Sequence, residues 1–378
     1  MAPKTTHPVI GRRALNRATL ERQLLLRRAP RSEMSVKGAV EHLVGLQAQN
    51  VKPPYYALAA RLDGFRPEEL SALMASREVA RLVTLRSTIH THSADDCLSL
   101  RPFAQAGGPD RELRMFQSRG GLGGVDPDRL RTVAREVVEE EPRTLKQLRE
   151  ELLKQWPDAD PFSLSVAARC VLPLVQITPR GEWGRSGQVV LTTAERWFGR
   201  ESSPAASADE VVRRYLAAFG PASVKDVQTW CGLTRMRQVF ERLRPGLVVF
   251  QDEKGVELFD LPDAPRPDED TPAPPRFLPE FDNLLLSHAD RSRVVADDHK
   301  SLTWRGNQAY STLLVDGFLA GIWRSVEEKD TVSLTIQAFG KLSRAQRDAV
   351  AAEGESMLST LSTATAHDIR FGDVLGTS

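Results

Sequence analysis

Residues 209–260 read DEVVRRYLAAFGPASVKDVQTWCGLTRMRQVFERLRPGLVVFQDEKGVELFD. The apolar spacing predicts a helix over Asp209–Ala218, stopped by Gly220-Pro221. Ser223 stands where it caps a second helix, Val224–Cys231, and Thr234 where it caps a third, Arg235–Leu243. Two alternating stretches, Leu247–Gln251 and Val256–Asp260, then fold across Asp252-Glu253-Lys254-Gly255 as a hairpin. Three helices and a β-ribbon are the parts of a winged helix.

The same plan recurs twice upstream. Helices are expected at Pro127–Glu141, Leu145–Lys154 (capped by Thr144, ended by Pro157) and Ser163–Val175 with Ser163 as cap. Strands Gln176–Thr178 and Val189–Thr192 follow, joined by a glycine-rich basic wing over residues 179–187. Nearer the N-terminus the expected helices are Arg13–Leu26, Val36–Gln47 and Pro67–Ala75. Strands Arg81–Leu85 and Ile89–His92 close that unit across Arg86-Ser87-Thr88. Pro53-Pro54 is read as the stop that forces a loop after Gln49.

Leu261–Arg276 holds six prolines and four acids, an extended linker. Beyond it, strands are expected at Asn283–Ser287, Arg293–Val295, Ser301–Trp304, Ser311–Val315, Phe318–Arg324 and Thr331–Ala338, with Asp316-Gly317 as a turn. A helix capped by Ser343 runs to Leu361, and His367–Phe371 returns as a strand. The expected fold is α+β: three tandem winged-helix domains (1–110, 125–200, 207–260), the linker 261–276, and a small C-terminal β-barrel or sheet (277–378), with Trp304 and Trp323 in the barrel core.

Composition narrows the class. The 378 residues are 41% hydrophobic and 27% charged, ordinary for a globular protein. No apolar run approaches the ~20 residues that span a bilayer. Met1–Ile10 lacks the apolar core of an export signal, so a cytoplasmic protein with no membrane partner is expected. Cys97, Cys170 and Cys231 are odd in number and far apart, which fits core cysteines rather than disulfides or a metal site. His90 and His92 lack the carboxylates or cysteines of a zinc set, and no metal or cofactor is expected.

The net charge of +1 hides an asymmetry. Residues 1–50 carry nine bases and three acids (+6); residues 252–298 carry thirteen acids and five bases (−8). The first stretch reads as a region that could meet phosphates. Arginine outnumbers lysine 41 to 10, which suits bidentate phosphate contact and equally suits a GC-rich coding genome.

Two glutamines at a helix end are ordinarily a solvated terminus; here their context matters. Residues 15–96 contain Leu15-Asn16-Arg17, Gly45-Leu46-Gln47-Ala48-Gln49, Arg61-Leu62, Leu85-Arg86-Ser87-Thr88-Ile89-His90 and Ser93-Ala94-Asp95-Asp96. The C-terminal part adds Phe277-Leu278-Pro279-Glu280-Phe281-Asp282-Asn283, His288, Asp290-Arg291-Ser292-Arg293-Val294, Val315-Asp316-Gly317 and Gly321-Ile322-Trp323-Arg324. In this order, over nearly the whole chain, the motifs resemble the AlkZ/YcaQ winged-helix DNA glycosylase family. The resemblance implies that Gln47 and Gln49 are catalytic, flanking Ala48. The YcaQ branch has Asp at the second position; Gln49 is similar to the AlkZ branch, which includes resistance enzymes for DNA-alkylating natural products.

A purine alkylated at N7 already carries positive charge and leaves without a general acid. Two amides that hold a water against C1′ are then chemically sufficient. The expected partner is double-stranded DNA with alkylated bases, bound by a monomer. Arg86 and His90 are candidate DNA contacts, or else a wing brace and a core hydrogen-bonder. Arg180 and Arg185 are phosphate candidates in the second wing. His288 lies in a matching motif, and Arg291 and Arg293 are placed on one face of a strand, against DNA or paired with Asp282 or Asp290. A winged-helix regulator without catalysis is the alternative from another class; it ordinarily dimerises on a palindrome, and no dimerising heptad is visible. Simple sequestration of an alkylator is a third.

Overall fold

The computed structural model describes residues 7–306 and 308–374; Met1–Thr6 (including Lys4 of the basic count), Asn307 and residues 375–378 lie outside the described residues. The chain begins with α1 (Arg12–Arg22), α2 (Val36–His42), β1 (Leu46–Gln47), α3 (Pro53–Ala59), α4 (Pro67–Ala75), β2 (Val79–Val83) and β3 (Ile89–Ser93). The expectation of a helix reaching Gln47 is corrected. Val44 (φ 53) and Gly45 (φ 89) turn the chain after α2. Only glycine fits there, since a Cβ on Gly45 would lie 2.2 Å from the His92 ring. Leu46 and Gln47 then pair antiparallel with Thr91 and His90. Pro53-Pro54 likewise starts a helix rather than preventing one, because a first-turn proline lacks only an N–H that has no intrahelical acceptor.

Next come α5 (Ala94–Ala104), α6 (Pro109–Ser118), α7 (Pro127–Glu140), β4 (Arg143–Thr144), α8 (Leu145–Gln155), α9 (Pro161–Val171), β5 (Leu174–Gln176) and β6 (Val190–Thr193). Thr144 and Gln147 cap α8 reciprocally. The cap of α9 is Asp160, not Ser163: its Oδ2 accepts the Ser163 N–H at 2.7 Å and Pro161 takes the first helical position. Strand β2 pairs with β5. The two hairpins thereby merge into one six-stranded sheet, ordered β1-β3-β2-β5-β6-β4.

The third stretch holds α10 (Ala194–Phe198), α11 (Ala208–Phe219), α12 (Val224–Cys231), α13 (Arg237–Leu243) and a separate hairpin, β7 (Val248–Gln251) with β8 (Glu257–Asp260). Ser223 caps α12 as expected. Arg235 sits at φ 62, so α13 starts later than expected and Thr234 is not its cap.

The C-terminal part contains β9 (Arg276–Leu278), α14 (Asn283–Leu286), β10 (Trp304–Arg305), β11 (Gln308–Ala309), β12 (Ser311–Val315), β13 (Phe318–Glu328), β14 (Thr331–Ala338), α15 (Arg344–Leu361) and β15 (Ala366–Phe371). The architecture is α+β, but the expected barrel is corrected to an open five-stranded sheet, β15-β14-β13-β12-β9. Helix α15 packs against β9 and β15 and covers the face that closure would otherwise bury. In place of the strand expected at Asn283–Ser287, Asn283–Leu286 is helical, its N-terminus capped by the Asp282 carboxylate, which accepts the Leu284 N–H at 3.0 Å. Residues 291–295 form a turn in which both Val294 and Val295 donate to the Arg291 carbonyl, so Arg291 and Arg293 do not share a strand face. Residues 297–303 are 3-10 helix, leaving only Trp304–Arg305 extended. Trp304 is 36% exposed against Phe281, not in the core. Trp323 is interior, its Nε1 shared by the Leu278 and Thr312 carbonyls.

The two ends of the chain share one interior: Val40, Leu58 and Leu70 pack in the same cluster as Phe277, Leu313 and Ile336. Ion pairs reinforce the union. Arg13 and Arg17 bind Asp316, Arg22 binds Asp260, Arg28 binds Glu353 and Arg31 binds Glu69. The Pro-rich linker is strapped to α1 by Arg13 Nε on the Glu269 carbonyl (2.8 Å) and Arg17 Nε on that of Thr271 (2.7 Å). Five of the nine N-terminal bases, Arg13, Arg17, Arg22, Arg28 and Arg31, are thereby held by carboxylates of the protein itself, which narrows the reading of this stretch as a phosphate-facing region.

Candidate active site

The Gln47-Ala48-Gln49 backbone is held from three directions. Gln47 is paired with His90 across the β1–β3 ladder, Ala48 donates to the Ile89 carbonyl at 2.7 Å, and the Ala48 carbonyl accepts from Arg81 Nη2 at 2.6 Å. Arg81 is buried, and burial followed by the nearby Arg180 charge pushes it down to about 10. Asn283 secures the approach to the motif, donating to the Gly45 carbonyl at 2.7 Å and to that of Leu43 at 3.2 Å. The side chains differ in exposure. Gln47 is 7% exposed and its Oε1 accepts from Arg86 Nη2 at 3.0 Å. Gln49 is exposed, with only a long 3.4 Å contact from the Ile89 N–H to its Oε1 among the described residues.

A cleft of about 760 Å³ opens one residue past Gln49, between the α3 entry, the 179–187 wing and the C-terminal sheet. Lys52, Arg180, Arg305 and Arg324 line it. Among the described residues none of the four has a carboxylate within ion-pair distance. Lys52 lies over the Trp183 ring at 5.9 Å, and Arg180 Nη1 donates to the Gly187 carbonyl at 2.8 Å. Tyr56 stands between Trp183 and Trp323 in the wall. Glu280, the one carboxylate among the lining residues, accepts a hydrogen bond from Asn50. Four cations without a carboxylate partner among the described residues, with Tyr56 and Trp323 in the same wall, suit a nucleic-acid strand. Among the described residues no three His, Cys, Asp or Glu side chains form a metal-binding group.

Residues 40–360 match the family model described as DNA glycosylase AlkZ-like. The chain belongs to the AlkZ-like DNA glycosylase family. It is 24% identical over 359 residues to an interstrand DNA cross-link repair glycosylase of Streptomyces sahachiroi, covering 85% of this chain and 92% of the relative. The solved structure of Streptomyces sahachiroi DNA glycosylase AlkZ superposes with a TM-score of 0.80 at 18% identity, over 96% of this chain and 100% of that one, a likeness of fold.

Against this AlkZ-like frame the remaining candidates separate. His90 is 2% exposed, its Nδ1 on the Thr88 carbonyl at 3.0 Å; burial, then the Arg86 charge and His92, hold it well below the ordinary imidazole range. His288 and Arg293 are corrected from DNA contacts to interior braces. His288 Nε2 meets the Phe219 carbonyl at 2.9 Å, and Arg293 Nη1 binds the Pro221 carbonyl at 2.8 Å and Thr19 Oγ1 at 3.1 Å. Asp282 pairs with Arg61 and Asp290 with Lys254, so neither serves Arg291 or Arg293. Arg185 is exposed and pairs with Glu182 at 3.3 Å; Arg291 is half-buried. Only Arg180 of the DNA candidates lines the cleft, while Arg86 reaches Gln47 itself. Lys52, Arg305 and Arg324 went unread in the sequence. Lys52, three residues past Gln49, was the nearest signal.

Burial lowers His42, His90, His92 (to about 4) and His288 (to about 3) from the ordinary 6.5. Below that value the unfolded chain binds protons that the folded one refuses. Stability is therefore complete above about pH 6.5 and is lost as pH falls. Melting temperature should drop between pH 7 and 5; a flat profile would contradict these buried neutral imidazoles.

Proposed function

We propose that this chain hydrolyses the N-glycosidic bond of N7-alkylated purine nucleotides in double-stranded DNA, interstrand crosslinks included, as a monofunctional glycosylase. It acts as a monomer in the cytoplasm, in repair or in self-resistance to an alkylating natural product. The observation that carries this reading is the clamped Gln47-Ala48-Gln49 backbone, whose next residue Asn50 lines a cleft together with four cations that lack a carboxylate partner among the described residues. The name of the Streptomyces sahachiroi relative supports extension to crosslinks. We read the three helix–hairpin units (1–110, 125–200, 207–260) as winged helices that grip the duplex.

The chemistry follows from the substrate's charge. The C1′–N9 bond breaks with its electron pair going to the base, which neutralises the alkylated purine. Water then forms the C1′–O bond and releases a proton to solvent. Neither glutamine titrates; their contribution is to hold the water in line, worth far more in a fixed site than in solution. No general acid, metal or cofactor is required by these steps.

Incubating the protein with duplexes that carry N7-guanine lesions of increasing size, and scoring abasic sites, tests the proposal. Tight binding of a palindromic operator at physiological salt, without base release, would favour the regulator instead. The cleft adds a second expectation. Replacing Lys52, Arg180, Arg305 or Arg324 by Ala should reduce the slope of log affinity against log salt by about 0.9 each. Arg13→Ala, whose guanidinium is paired with Asp316, should leave the slope unchanged. Equal slopes throughout would remove the cleft from the DNA path.

A further inference from the structure

We propose that Arg86 is a positioning residue that locks the Gln47 side chain with its Nε2–H donors toward the substrate, leaving Gln49 to accept a hydrogen bond from the attacking water. This rests on the glycosylase reading above and deepens it by giving the two glutamines different tasks.

The geometry begins at the tip of the β2–β3 hairpin. Arg86 (φ 53, ψ 22) and Ser87 (φ 60) are both left-handed, though neither is glycine. Such backbone is strained and persists only where its surroundings over-determine it. Here they do. Ser87 Oγ donates to Glu112 Oε2 at 2.5 Å, and Gly108 lies so close that a Cβ would stand 2.5 Å from the Ser87 nitrogen. Gly107 and Gly232 permit an equally close backbone approach, which brings the end of α12 to the hairpin. The tip thus aims Arg86 inward, where Nη1 donates to the Trp230 carbonyl and Nη2 to Gln47 Oε1 at 3.0 Å.

Arg86 makes no ion pair among the described residues; its partners are two carbonyl oxygens. Burial brings it down to about 10, so it stays a cation at neutral pH. A cation with only N–H groups to offer accepts one orientation of the glutamine amide. Were Gln47 flipped, its NH2 would face the guanidinium donor to donor. Gln47 Nε2 has no partner among the described residues and is not sealed from solvent, so its donors are free for a ligand. Gln49 has no comparable lock, since its one polar contact among the described residues is the long one from Ile89. A water held by a Gln47 N–H on one lone pair keeps the other for C1′ and donates a hydrogen bond to Gln49 Oε1, its proton passing to solvent once the C1′–O bond has formed.

Single-turnover base release from a duplex with one N7-methylguanine, combined with DNA affinity, tests this in four proteins: parental, Arg86→Met, Gln47→Ala and the double variant. Arg86→Met should slow release by about 10- to 100-fold with DNA affinity unchanged, as expected for a misoriented catalytic group. In the Gln47→Ala background the same change should add nothing, because Arg86 acts through Gln47. Parental rates in Arg86→Met, or losses that multiply in the double variant, would overturn the proposal. Should Arg86→Met unfold, Gln47→Glu decides. It keeps the Arg86 contact but replaces a donor with an acceptor, so release should fall at least about tenfold with melting temperature retained. A Gln47→Glu protein as fast as the parent would refute the donor assignment. Parental protein that releases no base sinks the glycosylase reading itself, an outcome distinct from an active parent indifferent to Arg86.

Discussion

Replacing Asp282 by alanine is expected to cost about 3–5 kcal/mol of stability, the range for leaving one charge of a buried pair alone. Arg61 and Asp282 meet in two hydrogen bonds of 2.8 and 2.7 Å, with side chains 0% and 1% exposed. The same carboxylate caps α14, whose first residue Asn283 holds the carbonyls of Leu43 and Gly45 ahead of the glutamine motif. Losing it removes a counter-ion, a cap and the anchor of the motif's turn. Chemical denaturation checks the value. Arg13→Ala offers the comparison, because its pair with Asp316 is 38% and 47% exposed and a solvated pair contributes at most about 1 kcal/mol. Equal losses in the two variants would contradict the account of the interior pair.

Gln47→Ala and Gln49→Ala should each lower base release by about 100-fold or more, the scale for removing a positioned hydrogen-bonding group from a catalytic site. Their side effects should differ. Gln49 is exposed, and its truncation should leave stability within about 0.5 kcal/mol. Gln47 is buried against Arg86, so its loss also removes a hydrogen bond to a charged group, about 1.5–3 kcal/mol. Gln49→Ala is therefore the cleaner catalytic probe. If both variants release base at the parental rate, the motif is not the site.

Local chemistry made much of the fold legible. Ser223, Thr144 and Ser343 each satisfy a helix N-terminus where the sequence placed them, and Asp316-Gly317 adopts positive φ at both turn residues. What stayed hidden depends on partners far along the chain. Gln47 lies in a strand because His92 excludes a side chain at Gly45 and β3 offers a ladder, neither visible in the window around Gln47. The basic N-terminal surplus looked like a phosphate surface until Asp260, Asp316 and Glu353 arrived from the other end of the chain. Conversely, the Arg-Ser-Arg run at 291–293 folds into a turn that sends Arg293 inward. The two glutamines were legible as candidates by resemblance and Arg180 as a phosphate candidate in its wing; Lys52, Arg305 and Arg324 were not, since they share no local pattern and meet only in space.

The most direct test is the identity of the released product. A duplex containing a single N7-methylguanine, incubated with the protein in excess chelator at several values from about pH 6 to 8, should yield free N7-methylguanine and an intact strand with one abasic site. The rate should be nearly constant, because His90 and His92 are neutral throughout that range and the glutamines do not ionise. No free base, or release that requires a divalent metal or follows a limb near pH 6.5, would contradict the account.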